Sequence, residues 1–93
     1  MSGMQGSSAG LDLRRRRILF RSWHRGTREM DLIMGRFADA CLADLPEADL
    51  DALEQLLDAP DQDVFDWVVE QAETPPENDT DLLRKLRAFH HWT

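Results

Sequence analysis

The chain has 93 residues, 42% hydrophobic and 31% charged, with a net charge of -7 and a single cysteine. That length holds one small domain with little room for an internal active-site cavity, and the mixture is that of a soluble globular protein. No apolar run approaches the ~20 residues that span a bilayer, and one cysteine excludes an internal disulfide, which makes a reducing compartment the default.

Residues 1–10, MSGMQGSSAG, are small and polar. They lack the apolar core of a secretory signal and read as a disordered tail; the arginines that follow leave a transit peptide open, although the tail itself has neither charge nor amphipathic pattern. Residues 11–93 read as a single helical domain. Its first helix, roughly 12–24, sets Ile18, Leu19 and Trp23 on one side and Arg14, Arg17 and Arg21 on another. The second, roughly 28–44, has the clearest pattern. Met30, Ile33, Met34, Phe37, Ala38, Cys41, Leu42 and Leu45 follow the i, i+3, i+4, i+7 spacing of a wide buried stripe. Gly35 inside it costs roughly 1 kcal/mol against alanine and points to close helix packing or a kink.

Leu45-Pro46 breaks that helix, because proline disfavours helical geometry in the residue before it. A third helix, roughly 47–58, carries Leu50, Leu53, Leu56 and Leu57, with acids suiting its N-terminal turns. Asp61 is the predicted N-cap of a fourth, in which Val64, Phe65 and Val68 share a side and Trp67 lies beside them. The loop TPPEN, residues 74–78, precedes a last helix capped by Asp79 or Thr80 and bearing Leu82, Leu83, Leu86 and Phe89. No segment alternates with a strand's period. The predicted fold is all-α, a compact bundle of about five short helices.

The net charge hides a polarity. Residues 1–36 hold eight arginines against three acids, a net of +5, whereas residues 37–93 hold three cations against fifteen acids, a net of -12. A charged partner would orient such a chain during encounter. The run Arg14 to Arg17 invites a nucleic-acid reading, but four consecutive arginines spread around a helix, and only Phe20 and Trp23 are near to stack on bases. A solvated basic face is the default and an electrostatic contact to a protein comes next; nucleic acid is third, and a small helical nucleic-acid-binding or regulatory module using this run is the alternative function.

Catalytic chemistry is missing. There is neither a G-x-G-x-x-G nor a P-loop pattern. Cys41 sits on the buried stripe without a C-x-x-C partner. His90 and His91 are adjacent, about 100° apart on a helix, and cannot clamp one metal together. The carboxylates are dispersed, so no catalytic residue, metal site or bound cofactor is assigned, and the chain does not read as an enzyme.

The stretch WHRGTREMD, Trp23 to Asp31, is over-specified for a turn. Gly26 suits a tight entry into the second helix. With Gly26 as N-cap, Glu29 forms half of a capping box; with Thr27 as N-cap, Glu29 sits one position earlier in the helix. Neither option explains Arg25 and Arg28, which crowd the positive helix end where acids are favoured. A planar, bidentate guanidinium there offers itself to a partner's carboxylate.

The run RGTREMDLIMGRF, Arg25 to Phe37, resembles the R-G-x-x-E signature of the succinate dehydrogenase assembly factors. A second block, LDALEQLLDAPDQDVFDWV, Leu50 to Val68, follows that family's order of leucine-rich helix, acidic break, and Asp63, Phe65 and Trp67. The resemblance covers about residues 12–90. It implies a helical chaperone that binds the flavoprotein subunit of succinate dehydrogenase, or of fumarate reductase, and promotes covalent attachment of FAD. The flavin then belongs to the client. Arg25, Gly26 and Glu29 correspond to the signature, with Arg28 and Asp31 beside it, as the partner-binding residues. The family commonly has arginine where this chain has His24, and often proline near Gly35. Histidine at 24 makes the patch weaker in charge and dependent on pH. The resemblance further implies a monomer when free, without nucleic-acid binding or membrane insertion. Its compartment is the cytoplasm in a bacterium or the mitochondrial matrix in a eukaryote.

Overall fold

A computed structural model describes residues 10–92 and, within them, five α-helices, two short 3-10 turns and no strand. The all-α prediction holds. The predicted tail lies outside the described residues except for Gly10. The chain divides into two compact units at the Leu45–Pro46 junction, the break at which proline was predicted to stop the second helix.

The first unit contains α1 (Leu13–Trp23), α2 (Arg28–Cys41) and a 3-10 turn (Leu42–Asp44). Asp12 caps α1, its side chain accepting from the Arg15 N–H at 2.8 Å. That hydrogen bond, with the Arg15 guanidinium beside it, holds the Asp12 carboxyl below its ordinary value. Ile18, Leu19 and Ser22 are buried on α1, and Met30, Ile33, Met34, Gly35, Phe37 and Ala38 on α2. Each large apolar side chain so buried contributes ~1.5–3 kcal/mol. Ser22 is accommodated because its Oγ donates to the Ile18 carbonyl at 2.8 Å.

The two helices approach most closely where the Trp23 indole lies over Gly35. A Cβ at position 35 would fall 2.5 Å from Trp23 Cε2 and Cε3, so the glycine serves helix packing. Arg15 closes the unit, donating through Nε to the Leu42 carbonyl at 3.0 Å and through Nη2 to that of Leu45 at 2.6 Å.

The second unit contains α3 (Glu47–Asp58), α4 (Asp61–Val68), a 3-10 turn (Pro76–Asn78) and α5 (Asp81–Trp92). Its core is Leu50, Leu53, Leu56, Leu57, Val64, Trp67, Val68, Leu82, Leu83 and Leu86. Val64 and Val68 are buried as predicted and Trp67 joins them in the core, whereas Phe65, predicted on their side, is only half-buried. Asp61 is likewise not the cap. Pro60 occupies that position, leaving Asp61 as the first helical residue, where its charge still meets the positive helix end. Thr80 is confirmed as the α5 cap, accepting from the Leu83 N–H at 3.2 Å. The buried carboxylate of Asp49 pairs with Lys85.

The end of α4 is a Schellman turn, with Gln71 N–H donating to the Asp66 carbonyl at 2.8 Å and Glu70 N–H to that of Trp67 at 3.3 Å. Glu70 takes the left-handed position with φ +62°, where glycine is the usual occupant. Arg87 pins the following loop by donating to the Trp67 carbonyl and to Thr74 Oγ1.

Two substitutions report on these constraints. Gly35→Ala should destabilise the protein by ~1–3 kcal/mol, as overpacking does, with a shift in tryptophan fluorescence as the indole is displaced. Glu70→Gly should raise the melting temperature, because relief of the left-handed strain is worth about 1 kcal/mol before glycine's entropy is set against it.

Candidate functional site

The turn between α1 and α2 lies wholly within the first unit. α1 stops at Trp23, and His24 takes the cap position, its N–H donating to the Arg21 carbonyl at 3.3 Å. Its imidazole Nδ1 lies 2.6 Å from the Phe20 carbonyl. A carbonyl only accepts, so Nδ1 carries the proton. The ring stacks on Phe20 with centroids 3.9 Å apart and planes 19° apart.

Gly26 follows with φ +107°, and a Cβ there would meet nothing within 4 Å. Backbone conformation, not crowding, therefore requires glycine at this position. Thr27 returns to an extended conformation and is the N-cap of α2, its Oγ1 accepting from the Met30 N–H at 3.3 Å. That assignment removes the Gly26-capped box and leaves Glu29 as the second helical residue, beside the positive end of the helix.

Asp31 staples the turn shut. Its Oδ1 accepts from the Arg25 backbone N–H at 2.6 Å, while its own N–H donates to the Thr27 carbonyl at 2.9 Å. The turn is thus held from both sides, by a backbone bond and by a charge-assisted one.

The five predicted residues consequently divide. Asp31 is half-buried with one oxygen turned to the backbone, and Arg25 is half-buried beside it. Gly26, Arg28 and Glu29 are exposed. A shallow recess beside the turn is lined by Gly26, Arg28 and Asp31 together with Trp23, His24, Thr27 and Leu32. Leu32 was absent from the predicted site, although the sequence carried a signal. It is the one large apolar residue in the first half of α2 that falls outside the stripe of Met30, Ile33, Met34 and Phe37.

The basic run Arg14–Arg17 is not the uniform solvated face predicted for it. Arg15 is held by Asp12 and the carbonyls of Leu42 and Leu45, and Arg16 Nε donates to the Leu11 carbonyl at 3.0 Å. Among the described residues, no group of three His, Cys, Asp or Glu side chains is placed to hold a metal ion, and no helix is long and apolar enough to cross a membrane.

Comparison with known proteins now bears on this geometry. Residues 16–90 match the family described as "Flavinator of succinate dehydrogenase". The chain belongs to this family. It is 38% identical over 77 residues to a mitochondrial succinate dehydrogenase assembly factor 2 of Dictyostelium discoideum, covering 83% of this chain and 53% of that protein. It is 37% identical over 76 residues to an FAD assembly factor of the bacterium Acetobacter pasteurianus, covering 82% of this chain and 70% of that protein. A mitochondrial assembly factor 2 of Scheffersomyces stipitis is 36% identical over 66 residues, or 71% of this chain and 44% of that protein. The chain spans about half the length of most of these relatives. No solved structure matches it.

Removing the staple tests how the turn is held. Asp31→Ala should speed hydrogen exchange at the Arg25 amide roughly tenfold, the equivalent of one lost hydrogen bond of about 1.4 kcal/mol. Asp31→Asn, which retains an acceptor oxygen, should lie between that variant and the parent.

Proposed function

We propose that the protein is a non-catalytic assembly factor that docks on the flavoprotein subunit of succinate dehydrogenase through the Arg25–Asp31 turn and promotes covalent attachment of FAD there. The flavoprotein of fumarate reductase is a second client of the same chemistry. The observation that carries this proposal is the exposure of Arg28 and Glu29 on a rigid turn. Neither side chain makes a hydrogen bond or ion pair among the described residues, while Gly26, Thr27 and Asp31 fix the backbone beneath them.

The proposed mechanism is positional. A fixed cation and anion side by side engage complementary charges on the client, and the binding energy holds the client's own nucleophile and flavin in reacting geometry. FAD remains the client's cofactor, since this chain carries no glycine-rich phosphate loop. The protein works as a monomer when free, in the bacterial cytoplasm or the mitochondrial matrix. The nucleic-acid alternative is disfavoured by the internal commitments of Arg15 and Arg16.

In-gel flavin fluorescence of the client, produced with and without this protein, tests the proposal. The signal should depend on the protein and fall roughly tenfold with Glu29→Ala or Arg28→Ala, as loss of a ~1.4 kcal/mol contact requires. Equal fluorescence in all samples overturns it. Gly26→Ser should fail as well, and a circular dichroism melt separates a misfolded turn from a lost contact.

A further inference from the structure

Leu13, Phe20 and Leu32 are the exposed large hydrophobic side chains among the described residues, at 58%, 63% and 39% exposure. Phe20 and Leu32 belong to one place. Leu32 lines the recess beside the turn with Trp23 and His24, and Phe20 stacks on the His24 ring. The His24 bond to the Phe20 carbonyl holds that ring pair in register. The result is a pre-organised aromatic shelf opening on a recess with an aliphatic wall, a surface that loses little side-chain freedom on binding.

The lining of the recess holds one exposed cation, Arg28, and one half-buried acid, Asp31. Arg28 lines the recess and is exposed, and Arg17 is exposed three residues before Phe20 on the same side of α1. The acid of the recess, Asp31, is engaged by the Arg25 N–H. With Asp31 turned to the backbone, the exposed guanidinium groups of Arg28 and Arg17 are the charges an apolar side chain flanked by carboxylates would meet.

We propose that the Phe20–His24 stack and the Leu32 wall form the apolar anchor of the docking surface, seating one apolar side chain of an acidic segment of the flavoprotein partner. The proposal rests on the assembly-factor function, because the recess is continuous with the turn that carries Arg28 and Glu29. It assigns the two contacts different tasks. The turn supplies charged registration, and the shelf supplies the desolvated contact that slows dissociation.

Isothermal titration of the full chain against the purified flavoprotein subunit, with size-exclusion chromatography of each variant alone, is the test. Phe20→Ala and Leu32→Ala should each weaken binding roughly tenfold, mainly through faster dissociation, with melting temperatures near that of the parent because both side chains are exposed. Leu13→Ala, exposed on α1 but away from the recess, should bind as the parent does. If Phe20→Ala and Leu32→Ala bind like the parent while Glu29→Ala does not, docking through the turn stands and the apolar anchor is refuted. If the parent itself does not bind, both proposals fall. If Phe20→Ala changes only self-association, the shelf serves a second copy of the chain and the assignment to the flavoprotein is overturned.

Discussion

The close approach of Trp23 to Gly35 is the constraint from which the geometry of the first unit follows. With the indole seated on the α2 backbone, the C-terminal end of α1 is fixed relative to the start of α2. The four residues from His24 to Thr27 must then reverse the chain in a short span. That demand explains the positive φ of Gly26 and the Asp31 staple, since a reversal this tight leaves the Arg25 N–H in need of an acceptor that no helix supplies. Glycine is therefore needed twice for different reasons, at position 35 for space and at position 26 for conformation.

The same constraint sorts the charged residues. Arg15 faces the 3-10 turn and is drawn to the carbonyls of Leu42 and of its cap residue Leu45. A guanidinium can satisfy several acceptors at once and so closes a small unit that has few other polar links. Arg28 has no such carbonyl within reach and stands exposed at a helix N-terminus, where a cation is mildly disfavoured. Its placement against that local preference is what the proposed docking role accounts for, beside the signature residues Arg25, Gly26 and Glu29.

The helices were legible because their burial repeats with the helical period. Met30, Ile33, Met34, Phe37 and Ala38 are all buried as that spacing requires. Caps were less legible. Gly26 and Thr27 both satisfy the local rules for starting α2, and Pro60 took the place predicted for Asp61. Local chemistry permits more than one solution at a helix start, and packing chooses between them. Trp67, and not Phe65, is the aromatic buried with Val64 and Val68 for the same reason: on a helix as short as α4, one residue's rotation decides which aromatic meets the core.

The amino-acid sequence by itself determined the helical class, the chain breaks at proline, the absence of catalytic and phosphate-binding motifs, and the signature residues from Arg25 to Asp31. Each of these depends on composition or on neighbours within a few positions. Only the tertiary structure decided that Asp31 holds the turn, that Arg15 is structural, and that His24, on which Phe20 stacks, shares one recess with Leu32. Arg15 reaches acceptors 27 and 30 residues away, and Leu32 and His24 line one recess only because two helices fold back on each other. Contacts of that kind are made by packing, and periodicity along the chain does not record them.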